Sequence, residues 1–124
     1  WGIFGVGLDS EESRAAGAVL FSVMSGQEIT PEEMADGSYL SKVHAISAAD
    51  YVAENPVPTV AAYGACDKMQ PFLASKRLEA ALQESGADYR YFVMEHSGHG
   101  LQNDNRVYAA YMKTVEAYLE KYLG

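Results

Sequence analysis

Residues 95–100, EHSGHG, set His96 and His99 three positions apart between glycines, directly after a strand-forming run. A second candidate group is Asp67, in the segment GACDKMQP that leaves an earlier apolar run. A carboxylate that accepts a hydrogen bond from one imidazole nitrogen fixes the tautomer and frees the other nitrogen to take a proton from a nucleophile. Asp67 and His99 are therefore a candidate acid and base for nucleophilic catalysis. On spacing alone plainer readings stay open: His99 as a loop histidine bonded locally, and Asp67 as a turn former ahead of Pro71. Asp88 is the weaker candidate acid, because it enters a strand rather than leaving one. A metal pair of His96 and His99 would supply two ligands where zinc takes three or four, so no metal is expected. His44 reads as a surface residue, and Cys66 as a small, partly buried residue with no base evident nearby.

The pair can meet only if the chain brings both loops to one edge. GAVLFSV, residues 17–23, is a short apolar run whose length suits a buried strand. TPEEMADG reads as a helical turn with Thr30 as N-cap, Pro31 first in the helix, Glu33 three residues after the cap and Gly37 as the stop. Residues 38–55 carry a weak helical pattern that ends at two prolines. PTVAAYGA, residues 58–65, is a second strand, followed by a helix over 70–86 with Pro71 in its first turn and Ala74, Leu78, Ala81 and Leu82 on one stripe. DYRYFVME, residues 88–95, is a third strand. From Asn103 a long final helix presents Val107, Tyr111, Val115, Tyr118, Leu119 and Tyr122 on one side, a packing stripe with tyrosine hydroxyls toward its rim. This alternation predicts an α/β fold with a mostly parallel sheet flanked by helices in three layers. Ligands of such sheets bind beyond the carboxyl ends of the strands, where the Asp67 and His99 loops both emerge.

The stretch PVPTVAAYGACDKMQPFLASKRLEAALQESGADYRYFVMEHSGHG with its following helix resembles the last third of an α/β-hydrolase of the esterase and lipase type. The resemblance covers about residues 56–123 and follows element order: strand, Gly-x-x-Asp turn, Pro, helix ending in Gly, strand, Gly-His-Gly. It implies a serine carboxylic-ester hydrolase with Asp67 as triad acid, His99 as base, a small-molecule ester as substrate and no cofactor. It also makes residues 24–55 a cap-like crossover and residues 56–124 the core bearing acid and base. The family's nucleophile sits in G-x-S-x-G ahead of the acid and base, and no such motif occurs here. With Trp1 in first place, the expectation is a C-terminal portion of a hydrolase domain, inactive alone, with its serine and oxyanion donors upstream. The alternative is a non-catalytic α/β domain, either a degenerate hydrolase or a flavodoxin-like binding module.

Composition narrows the partners. The 124 residues suit one domain. A net charge of −8, from nine basic and seventeen acidic residues, repels phosphate backbones and excludes a nucleic-acid surface. No apolar run is long enough for a membrane span, and the single cysteine permits no internal disulfide. A soluble, cytoplasmic protein is expected. An incomplete sheet leaves an apolar edge, so a homodimer through that edge is expected as well.

Overall fold

The computed structural model describes residues 2–3, 6–7, 9–52, 54–70 and 72–124. The chain opens with two short antiparallel strands, β1 (Gly2–Ile3) and β2 (Val6–Gly7). A helical segment follows: α1 (Glu11–Ser25), α2 (Pro31–Asp36), α3 (Tyr39–Val43), a 3-10 turn (His44–Ile46) and α4 (Ala48–Tyr51). Then come β3 (Thr59–Gly64), α5 (Phe72–Ser85), β4 (Tyr89–Met94) and α6 (Asn105–Leu123).

The strand expected at residues 17–23 is instead part of α1. The reason lies at the two ends of a longer segment. Ser10 takes the N-cap position and its side chain accepts from the Ser13 N–H. Glu11 and Glu12 place negative charge on the first turn, where the helix dipole favours it. Gly26 closes the helix in the left-handed region at φ 68°, its N–H donating to Ser22 O. Between these caps Ser13, Gly17, Ala18 and Phe21 fall on one face. Ala18 packs with Ile29 and Met34, and Phe21, Tyr39 and Val43 lie against them. The run is apolar enough for a strand, but its burial follows the helical period.

In α2 the expected capping box is present: Thr30 Oγ1 accepts from the Glu33 N–H while Glu33 Oε2 accepts from the Thr30 N–H, and Gly37 ends the helix. The described residues of 38–55 hold short helical pieces. Arg77 of α5 and His44 both bond the Asp50 carboxylate, tying α4 to the sheet half of the molecule.

β3 and β4 pair in parallel from Thr59↔Tyr89 to Gly64↔Met94, so they begin and end together. Pairing continues past both ends, with Thr59 N–H on Asp88 O at 3.0 Å and Ala65 N–H on Met94 O at 2.9 Å. Neighbouring residues of a strand point to opposite faces. Tyr91 meets Ser75 of α5 at 2.6 Å, and Phe92 meets Tyr111 of α6 in an edge contact with ring centroids 5.8 Å apart. One helix therefore covers each face of the pair. Leu82 and Met94 are fully buried beneath them. These two are the parallel strands found among the described residues, one fewer than expected. The expected position of Pro71 lies outside the described residues.

The tyrosine stripe of α6 ends in a polar strut. Tyr118 and Tyr122 hydroxyls and Lys121 Nζ donate to the Asp88 carboxylate at 2.6, 2.5 and 2.7 Å. The Lys121 ammonium first, then the two hydroxyls, hold the Asp88 carboxyl far below the usual range. Asp88 thus anchors α6 at the entry to β4, at the opposite end of the strand from the His99 loop.

Candidate active site

Because β3 and β4 end at the same level, the loops after them emerge side by side. Gly64 makes their approach possible. A Cβ built on it would meet Gly98 O at 2.2 Å and Ser97 O at 2.4 Å, both backbone atoms with nowhere to rotate. Across this contact the Cys66 N–H donates to Ser97 O at 3.0 Å. The acid loop and the histidine loop are thereby joined through backbone just ahead of Asp67 and His99.

Asp67 is 5% exposed at its side chain and divides its two oxygens. Oδ1 accepts from the Met69 and Gln70 N–H groups at 2.8 and 3.0 Å, forming the tight turn that leads toward α5. Oδ2 lies 2.8 Å from His99 Nδ1. Asp67 thus holds the turn with one oxygen and faces the His99 ring with the other. Burial works against the charged form. The Gln70 N–H, the His99 ring and the Met69 N–H outweigh it, leaving the carboxyl below the ordinary carboxylate range. An ionised carboxylate only accepts, so His99 donates from Nδ1, the arrangement that in a neutral ring leaves the lone pair on Nε2. The His99 side chain is 58% exposed, leaving its ring open to a reactant. Two residues further on, Leu101 sits at φ 54°, a left-handed conformation uncommon for leucine, with its N–H on Gly98 O at 3.1 Å.

His96 turns to a different partner. Its Nδ1 lies 3.0 Å from Asp104 Oδ1, and the hydrogen bond to that carboxylate raises its pKa above the usual histidine value. His96 and His99 thus bond different carboxylates, and among the described residues no group of three or more His, Cys, Asp or Glu side chains could hold a metal. Cys66 is exposed, not partly buried as expected, with its Sγ 3.5 Å from Glu95 O. His44 is exposed as expected, beside Asp50. Asp104 and Ser97 are polar residues of the His99 loop region that reading the sequence missed.

Two cavities border the helical segment, and the smaller of them touches the sheet at Tyr63. The larger, about 580 Å³, is lined by Phe21, Met24, Met34, Tyr39 and Arg77 among others, and none of its residues belongs to either loop. A smaller one of about 280 Å³ shares Arg77 and reaches the acid turn at Gln70. Among the described residues no helix is long and apolar enough to cross a membrane.

Comparison with curated proteins gives no match, and comparison with solved structures gives none either. The family model of the prolyl oligopeptidase family matches residues 16–124, a span that includes both loops and both parallel strands. That family is one of serine hydrolases with the α/β-hydrolase fold, which agrees with the parallel pair and its helices. The chain belongs to the prolyl oligopeptidase family.

Proposed function

We propose that Asp67 and His99 are the acid and base of a serine hydrolase that cleaves peptide bonds. The observation that carries the reading is the 2.8 Å contact between Asp67 Oδ2 and His99 Nδ1, with the ring's other nitrogen left for chemistry. Family membership favours the peptide bond over the carboxylic ester expected from sequence, and the same groups serve either acyl transfer. A serine from a segment ahead of this one attacks the carbonyl. His99 Nε2 takes its proton and returns it to the leaving amine, while Asp67 holds the ring and stabilises the imidazolium. Water then repeats the cycle on the acyl-enzyme. Backbone donors from the same preceding segment receive the oxyanion, and the parallel pair forms one side of a larger three-layer sheet. Residues 24–55 serve as a cap whose cavities shape specificity. No cofactor takes part.

The test is kcat/KM on a peptidyl anilide and an aryl ester for the polypeptide that contains these residues together with the nucleophile. His99→Ala lowers both by about 10⁴-fold or more. Full activity in that variant overturns the reading and favours the non-catalytic α/β domain, which the missing G-x-S-x-G motif would suit.

A further inference from the structure

The His99 side chain is largely exposed, and the hydrogen bond found for its ring is the one to Asp67. Its position therefore depends on what holds the backbone of its loop. That backbone is gripped from α6. Asp104 precedes the first residue of α6, where an aspartate ordinarily turns its carboxylate onto the helix's own free N–H groups. It makes no such cap bond here. Its carboxylate, 9% exposed, faces back onto the loop. Oδ2 accepts from the His96 N–H at 3.1 Å and from Ser97 Oγ, and Oδ1 accepts from His96 Nδ1. Ser97 is fully buried and in turn accepts from the Asn103 N–H at 3.0 Å, while Asn103 Nδ2 donates to His96 O at 2.7 Å. Ser97 O takes the Cys66 N–H of the acid loop. A continuous chain of bonds thus runs from α6 through Asp104 and Ser97 to Cys66, the residue before Asp67.

We propose that Asp104 is a positioning residue for His99: it forgoes capping α6 in order to lock residues 96–97 and so sets the register of the histidine loop against the acid loop. The inference rests on the acid–base reading of Asp67 and His99. Without Asp104 the buried Ser97 hydroxyl loses its acceptor, a cost that favours rearrangement of the loop. A shift of about 1 Å in a catalytic group is enough to lower a rate about 10²-fold.

The experiment measures kcat and KM separately in the complete enzyme for Asp104→Ala, Asp104→Asn and Ser97→Ala, with His99→Ala alongside. Asp104→Ala lowers kcat by about 10- to 100-fold with KM held within about twofold. Asp104→Asn, whose carbonyl oxygen still accepts from Ser97 Oγ, recovers most of that loss. The NMR signal of the His99 Nδ1 proton, sharp in the unmodified enzyme, weakens by exchange in Asp104→Ala. A merely structural role would lower the melting temperature and leave kcat and this proton unchanged at temperatures where the variant is folded. If Asp104→Ala does not fold, Ser97→Ala decides: a reduced kcat supports the proposal and an unchanged one overturns it. Loss of activity in His99→Ala with full kcat in the Asp104 and Ser97 variants overturns the positioning role alone. Activity in His99→Ala overturns both.

Discussion

Replacing Gly64 by alanine tests the geometry that joins the two loops. The backbone φ of Gly64 is not in the left-handed region, so alanine meets no dihedral strain there. The obstacle is space. The new methyl would sit 2.2 Å from Gly98 O, and reaching the 3.4 Å at which ordinary contact begins requires a displacement of about 1.2 Å. The atoms in the way are peptide oxygens, so relief must come from the loops moving apart. The Cys66–Ser97 bond, at 3.0 Å, and the Asp67–His99 bond, at 2.8 Å, span the same gap, and a displacement of that size carries both beyond hydrogen-bonding range. Overpacking of this kind costs about 1–3 kcal/mol of stability, and misplacement of the base by about 1 Å costs about 10²-fold in rate. Thermal unfolding and kcat on a peptidyl anilide, measured on the complete enzyme, read the two effects separately. A Gly64→Ala enzyme with unaltered melting temperature and unaltered kcat would refute the reasoning, since it would mean that the loops do not pass as closely as 2.2 Å implies.

Leu82→Ala, at a side chain only 1% exposed between α5 and the sheet, should cost about 2–5 kcal/mol in denaturant unfolding, whereas Leu73→Ala, at a leucine 66% exposed, should change stability by no more than about 0.5 kcal/mol. The Asp88 strut sets a pH window. Asp88 is depressed when folded, so its contribution is present above the unfolded carboxylate value of about 3.9 and is lost as pH falls through the folded value. Lys121 is raised, so its contribution is present below about 10.4 and is lost as pH climbs through the folded value. Asp88→Asn should flatten the acid limb of a stability–pH curve, and an unchanged limb would count against the strut. Finally, β3 and β4 leave unpaired outer edges among the described residues, and Val57, Leu119 and Leu123 lie exposed along an apolar groove of about 590 Å³. The 124-residue chain by itself should self-associate as a two-fold dimer, and light scattering that shows a monomer across a wide dilution series would refute this.

The parallel pair was legible in the sequence because both strands are bounded by turn residues and separated by one helix-length segment. The strands run Thr59–Gly64 and Tyr89–Met94, inside the runs expected at 58–65 and 88–95. Parallel pairing then forces the two following loops to the same edge, which is why the proximity of Asp67 and His99 could be anticipated across the intervening helix. Residues 17–23 misled because an apolar run of seven fits a strand or a buried helical turn equally well. What decided it were Ser10 and Gly26, caps lying outside the run. Asp104 escaped notice for a related reason. Its position ahead of a helix suggests an ordinary cap, and only the folded loop shows that its carboxylate points the other way. The grip of Gly64 on residues 97–98 was likewise invisible, because a strand-ending glycine gives no hint of which backbone passes over it.

The central claim is that Asp67 and His99 work as a unit, and a double-mutant cycle tests it most directly. Initial rates of peptidyl anilide hydrolysis would be compared for the complete enzyme, Asp67→Ala, His99→Ala and the double variant. If the carboxylate acts only by orienting and stabilising the imidazole, removing it after the histidine is gone costs nothing further, and the double variant matches His99→Ala within about threefold. Losses that multiply, with the double variant lower than His99→Ala by the full factor seen for Asp67→Ala alone, would contradict the account.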